Sequence, residues 1–189
     1  MPLDPKLDFK AFTCASMKWD RMGAPAPPSP NGLWTASPSS RFCNSGRRNW
    51  PVIEKNKPVS QSAWASAGPA GSTPGSGSTA IAQDFSFDAK NCYGATVVSL
   101  RFRLEVQAGA TGKTDRWIAQ FSVAPGELNV ASGWEVSMTV LVQEPCEFVD
   151  AGVTIAVLPV RIALAIQTKL KSQDASDTYF VTPIGLFEA

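Results

Sequence analysis

The stretch TVVSLRFRLEVQ at residues 96–107 decides the fold. Val98, Leu100, Phe102, Leu104 and Val106 fall on one phase of a two-residue repeat, and Ser99, Arg101, Arg103, Glu105 and Gln107 on the other. An extended chain sends alternate side chains to opposite faces, so this reads as a strand with one buried and one wet face. The pattern returns on working outward. At 116–123, Trp117, Ala119, Phe121 and Val123 oppose Arg116, Gln120 and Ser122. At 134–143, Trp134, Val136, Met138, Val140 and Val142 oppose Glu135, Ser137, Thr139 and Gln143. A further apolar run, 153–158, meets Pro159 and resumes as Val160, Ile162, Leu164 and Ile166. Residues 160–170 also fit a helical period; their β-branched enrichment decides for a strand. Shorter strands are expected at 81–87 and 178–181, and turns at AGATGKTD (108–115), APGE (124–127) and DAG (150–152). Short strands between near-regular turns, with no long helix, predict an all-β chain built as an antiparallel β-sandwich or barrel.

Composition narrows the function. The chain has 189 residues, 44% of them hydrophobic, which suffices for a core. It has no histidine, which excludes Ser-His-Asp and Cys-His nucleophile pairs, the HExxH zinc site and an imidazole proton shuttle. Its 17 Lys and Arg against 16 Asp and Glu argue against a protein that holds nucleic acid through a basic surface. No run approaches the roughly 18 apolar residues of a membrane helix, so no membrane partner is expected. Charged residues interrupt 1–30 where a secretory signal would need an apolar block. Cys14, Cys43, Cys92 and Cys146 form no CxxC pair and no zinc-ribbon spacing, which predicts no metal site and reduced thiols of an intracellular protein.

The neutral charge conceals two unlike halves. Residues 1–60 carry nine basic and four acidic side chains, a net +5, whereas 81–189 carry eight basic and twelve acidic, a net −4. Eleven of the 15 prolines lie in 1–80. ASAGPAGSTPGSGS at 65–78 reads as a Gly/Ser/Pro linker, and APAPPSP at 24–30 favours polyproline-like backbone. The expected organisation is an extended aromatic arm at 1–64, a linker at 65–80 and a β-sandwich at 81–189. Widely spaced aromatics on extended chain are anchors, and Trp19, Trp34, Trp50 and Trp64 are the candidates for docking on a neighbouring subunit. Arg47 and Arg48 beside Trp50 could pair and stack with single-stranded RNA, although solvated loop charge is the simpler reading.

No catalytic constellation assembles. GATGKT at 109–114 lacks the first glycine of a phosphate loop, since that position is Gln107, and a strand follows it where a helix is needed. It reads as a hairpin turn. Carboxylate pairs are the remaining option, with Glu105, Glu135, Glu144 and Glu147 as candidates. Solvated charge on wet strand faces is the default for Glu105 and Glu135, so no catalytic residue, metal or cofactor is expected. Six tryptophans also invite a carbohydrate-binding reading; Trp117 and Trp134 sit on the apolar phase and read as core.

NCYGATVVSLRFRLEV (91–106), a turn, then TDRWIAQFSVAPGE (114–127) resembles the middle of a jelly-roll coat protein of picornavirus-like icosahedral viruses, and especially the small coat subunit of plant secovirids. Tyr93 and Gly94 before the strand, the strands at 97–106 and 117–123, and the bend Pro125-Gly126 carry the likeness, with TPIGLFEA (182–189) similar to the tail after the last strand. The resemblance covers about residues 81–189. It implies a viral jelly roll and a non-enzymatic structural capsid protein whose partners are other capsid subunits, with weak contact to packaged RNA. It further implies a place in the virion, and in the host cytoplasm during assembly. A carbohydrate-binding or surface-attachment sandwich is the alternative. On this reading, removing residues 1–60 leaves a folded sandwich that no longer assembles, and the +5 arm is drawn to the −4 body of a neighbour.

Overall fold

The computed structural model describes residues 14–23, 36–59, 62–72, 79–111 and 115–189. The chain is an all-β sandwich. Its strands are β1 (Cys14–Met22), β2 (Ser37–Pro38), β3 (Phe42–Gly46), β4 (Asn49–Glu54), β5 (Lys57–Pro58), β6 (Trp64–Pro69) and β7 (Thr79–Asn91). They continue as β8 (Thr96–Thr111), β9 (Asp115–Val130), β10 (Trp134–Val142), β11 (Cys146–Asp150), β12 (Val153–Thr168), β13 (Ser172–Thr182) and β14 (Gly185–Glu188).

The first sheet runs β1-β7-β8-β9 and continues from β9 through β6 to β3. The second runs β5-β4-β10-β12-β13-β14. β12 belongs to both. Its first residues pair with β11 and, in parallel, with β9 at Thr154 and Ile155; from Val160 onward it lies between β10 and β13. The region 160–168 is therefore strand, as its β-branched content required.

The alternating pattern of residues 96–107 is reproduced by burial. Val98, Leu100, Leu104 and Val106 are fully buried and Phe102 nearly so, while Arg101, Arg103 and Glu105 are exposed. β10 alternates in the same way over its whole length. The two apolar faces meet in one core, where Phe85 packs on Tyr179 across the sheets at 4.9 Å between ring centroids. Trp117 and Trp134 are core, as expected.

Three expectations are corrected. The segment APGE is not a turn but lies inside β9, where Leu100 pairs with Leu128 and Phe102 with Pro125. One extra residue on β9 makes a bulge there, with Gly126 and Glu127 opposite Arg101 alone, and a Cβ on Gly126 would stand 3.0 Å from the Arg101 carbonyl oxygen. The closing TPIGLFEA is not a tail: Gly185–Glu188 pairs with Tyr179–Thr182. Most consequentially, residues 14–69 are not an arm and linker beside a sandwich. β1 pairs with β7, β4 with β10, and β6 with β9. Trp50, Val52, Ile53, Ala65 and Ala67 are buried in the common core, so loss of 1–60 would open the core rather than trim an appendage. Of the expected linker, residues 73–78 lie outside the described residues.

Tight turns explain the local geometry. The β4–β5 hairpin turns through Lys55 and Asn56, both with positive φ (47° and 64°), as a two-residue hairpin requires. Asn56 then braces the turn against β10: its Nδ2 donates to the Trp134 carbonyl at 3.0 Å and its Oδ1 accepts from the Val136 N–H at 2.6 Å. Ala151 and Gly152 make the equivalent turn at the expected DAG.

Candidate functional site

The sites expected from sequence disperse. Glu105 projects from the outer face of the first sheet and Glu135 from that of the second, with the core between them, so they form no hydrolytic pair. Glu144 is ion-paired with Arg48. Glu147 Oε2 accepts from Ser39 Oγ at 2.6 Å, and that hydroxyl oxygen accepts from the backbone N–H groups of Arg41 (3.1 Å) and Phe42 (2.8 Å). Glu147 thus holds the entry to β3. Among the described residues no group of three or more Cys, Asp or Glu side chains could hold a metal ion. No disulfide joins the four cysteines, of which Cys14 is buried and Cys43 and Cys92 are exposed. Burial pushes the Cys14 and Cys146 thiols above their ordinary range, which makes them poor thiolates.

Arg47 and Arg48 are exposed, but Trp50 cannot stack on a base with them because it is 1% exposed and packs against Phe121 at 6.3 Å. The Arg48–Glu144 pair, and Arg41 to Asp115 at 3.3 Å, join the basic half to the acidic half within one chain. Part of the charge complementarity expected between subunits is therefore spent inside the fold.

The tryptophans expected to anchor on a neighbour have different fates. Trp50 is core. Trp19 is half-buried on β1 and meets its own chain's Phe87 edge-on at 4.9 Å and Phe102 at 6.0 Å. Trp34 lies outside the described residues. Trp64 is half-buried, and its ring position is fixed by Gly46, whose absent Cβ would lie 2.8 Å from the ring and 2.4 Å from the Trp64 carbonyl oxygen.

Trp50 and Trp64 nevertheless both line a cleft of about 350 Å³. β6 covers the edge of β9 only as far as the Trp64–Ser122 pair, whereas β9 continues to Val130. Past that point no described residue pairs with that edge of β9, and β4 of the other sheet forms the opposite wall. Pro51 and Pro125 add apolar surface; Gln120 and Ser122 supply an amide and a hydroxyl. None of the described lining residues is charged. The Trp50 Nε1–H is buried and has no hydrogen-bond partner among the described residues. A buried donor without an acceptor costs about 1–3 kcal/mol, and this atom stands with Arg21 Nε and the Asn44 side-chain amide as the buried polar side-chain atoms left unpaired among the described residues. Sequence reasoning singled out both tryptophans but not their shared cleft, because they stand 14 residues apart on strands of two different sheets.

A second groove adjoins the first through Ala124 and Pro125 and includes Met22, the last residue of β1. Four of its five charged residues are paired, Arg103 clamping Asp84 with bonds of 2.7 and 3.0 Å and Arg101 lying 3.4 Å from Glu127, and Glu105 is the fifth. The fold and these sites define a β-sandwich with an uncharged, tryptophan-lined cleft at the edge of one sheet. No family model matches the chain, and neither does any curated protein or solved structure.

Proposed function

We propose that this chain is a structural coat subunit that builds a shell through contacts with copies of itself or related chains, and that it is not an enzyme. One observation carries the reading. β1 is a nine-residue edge strand that, among the described residues, pairs only with β7, and Met17 on it is exposed. An open edge of that length presents unpaired backbone groups ready to join another chain, and soluble monomers normally blunt such edges. The dispersal of every candidate catalytic group is in keeping with it. The likeness of residues 81–189 to secovirid coat subunits supplies the class of assembly, with other capsid subunits as partners and packaged RNA as a minor contact through Arg47.

The jelly roll is a narrower specification than the strands themselves. They make two meanders, β7-β8-β9 and β12-β13-β14, joined through β12, and the assembly reading needs only the sandwich and its edge. Sedimentation velocity and negative-stain microscopy of the purified chain, across salt and pH, test it. Closed particles of uniform size are expected; a chain that stays monomeric under every condition refutes the proposal. The carbohydrate-binding alternative draws on the tryptophan cleft, and saturable sugar-dependent quenching of tryptophan fluorescence by the monomer would favour it.

A further inference from the structure

The turns at one end of the sandwich gather lysines. Asn56 of the β4–β5 hairpin bonds to Trp134 and Val136 of β10, and Trp134 pairs with Thr168 of β12. Residues 55–57 and the β12–β13 turn at 169–171 therefore flank the start of β10. The other sheet ends at the same place. The Ala131 N–H donates to the Val97 carbonyl at 2.8 Å, which sets the β9–β10 connection beside the β7–β8 turn. Cys14, in register with Asn91 of that turn, donates its N–H to Gln173 Oε1 at 2.8 Å, two residues past Lys171.

Residues 54–57, 90–96, 130–134 and 168–172 make these turns. They hold Lys55, Lys57, Lys90, Lys169 and Lys171 against Glu54 alone, a net +4 in a chain of net +1. All five lysines are exposed, and none is ion-paired among the described residues. Further acids stand inward along the strands: Glu135 beside Trp134, Asp88 opposite Lys18 and Asp174 opposite Ala165. The far end differs, because there Arg48 meets Glu144 and Arg41 meets Asp115, and opposite charges cancel.

The spread of the lysines selects a ligand class. β5, β4, β10, β12 and β13 are successive neighbours, so at the usual strand spacing Lys57 and Lys171 lie about 20 Å apart, with Lys90 on the facing sheet about 10 Å away. A small anion reaches one or two of these charges; a chain of phosphates reaches them all. Tyr93 is 62% exposed, three residues after Lys90. Its turn is braced: the Gly94 N–H donates to the Asn91 carbonyl at 2.9 Å, and Asn91 Oδ1 accepts from the Tyr93 and Ala95 N–H groups at 3.0 and 3.1 Å. An exposed ring beside lysines can stack on an unpaired base, whereas a duplex keeps its bases in their own stack. An acidic protein or a lipid headgroup has no use for the ring.

We infer that this lysine end binds single-stranded nucleic acid, with the five lysines on phosphates and Tyr93 on a base. The inference deepens the coat reading by moving the RNA contact from Arg47 to the opposite end of the sandwich. Only the choice of RNA as the natural ligand rests on that reading.

The test titrates a fluorescein-labelled oligouridine of about 20 nucleotides with the full chain, followed by fluorescence polarisation between about 50 and 200 mM salt. Saturable binding is expected. With five phosphates neutralised, affinity should fall roughly 100-fold over that range, on the slope of about 0.7 per contact that single strands show. Lys169→Gln combined with Lys171→Gln should weaken binding at least about tenfold at the lowest salt and flatten the slope by about 1.4. Tyr93→Ala should weaken it about fivefold or more with the slope unchanged, which a merely electrostatic or structural role would not give. Arg161→Gln, on the outer face of the second sheet, is the control and should change neither. Unchanged urea midpoints show that these exposed substitutions leave the fold intact. No binding up to about 100 μM protein at the lowest salt, or equal affinity in the lysine variant, overturns the assignment. A larger loss in Arg47→Gln than in the lysine variant overturns the location. Displacement of the oligouridine by polyglutamate or anionic vesicles, with Tyr93→Ala lacking effect, overturns the choice of nucleic acid. Oligouridine binding without particles under any condition overturns the coat reading and leaves the lysine end standing; particles built from a chain that binds no oligouridine do the reverse.

Discussion

Replacing Trp50 with alanine asks whether the N-terminal half belongs to the core. Trp50 is 1% exposed on β4, pairs with Val140 of β10 and touches Phe121 of the opposite sheet, so its ring spans the layers. Deleting a buried tryptophan costs about 3–5 kcal/mol, from lost transfer energy and the cavity left behind. Against a domain stability of about 5–15 kcal/mol, that is a large fraction. With a urea dependence of about 1–3 kcal/mol per molar, the unfolding midpoint falls by roughly 1–5 M at unchanged slope. Trp50→Phe separates packing from hydrogen bonding. It removes the unpaired indole N–H with part of the volume, so the two changes oppose each other and the net effect is within about 1 kcal/mol. The measurement is equilibrium urea unfolding followed by circular dichroism on dilute protein. A midpoint shift below about 0.5 M for Trp50→Ala would refute the placement of β4 in the core, because an arm docked on a neighbour contributes nothing to the stability of the monomer.

Burial, together with the 2.7 Å hydrogen bond its hydroxyl donates to Asp177, pushes the Tyr179 phenol far above its ordinary value of 10.0. The raised group supports the fold fully below that ordinary value. Support is lost as pH rises beyond it, because the unfolded phenol then ionises and the folded one does not. The urea midpoint should therefore drop from pH 8 to pH 11, and Tyr179→Phe should flatten that drop; an unchanged alkaline slope in the variant would refute the assignment. Gly46→Ala places a Cβ 2.4 Å from the Trp64 carbonyl oxygen at φ +95°, and should cost about 1–3 kcal/mol in thermal unfolding and alter Trp64 emission. Cys43 and Cys92 should react with a thiol reagent fast, Cys14 and Cys146 slowly, and all four on unfolding; fewer than four equivalents in denaturant would reveal a disulfide.

What the sequence made legible was set by how each strand is buried. β8 and β10 have one face in the core and one in water, so period two is written into their side chains. β1 is an edge strand whose deep contacts come from Cys14, Trp19 and Arg21, which lies over the Phe85 ring, and CASMKWDRM shows no alternation to read. The small residues of β6 look like linker for a reason that lies elsewhere in the chain. A Cβ on Gly68 would meet the Trp117 ring at 2.7 Å, and one on Gly109 would meet it at 2.5 Å. WASAGP is small because a tryptophan from β9 lies over it, and no local pattern carries that information. The Pro-Gly bulge failed differently: Pro125-Gly126 has turn chemistry, but pairing with β8 on both sides keeps the strand going. The cleft was the least legible element, since Trp50 and Trp64 line it together only once the two sheets are stacked.

Pro159 shows how one residue can be read correctly in isolation and still conceal its purpose. The sequence suggests an apolar run interrupted by proline; the structure has one strand, β12, that changes partners there. On one side β12 pairs with β11 up to Val157 and with β10 from Val160, and β13 accompanies it on the other. The Pro159 carbonyl accepts from Gln143 N–H at 2.9 Å, so the position of the missing N–H faces the connection between β10 and β11, where no ladder exists to be broken. Pro159→Ala should consequently change stability by less than about 1 kcal/mol. Ile162→Pro, only three residues on and between two continuous ladders, should cost at least about 3 kcal/mol or prevent folding. Equal effects would refute the partner change at Pro159. That corner matters for the whole fold, because the strand that tolerates proline there is the one that ties the two sheets into a single body.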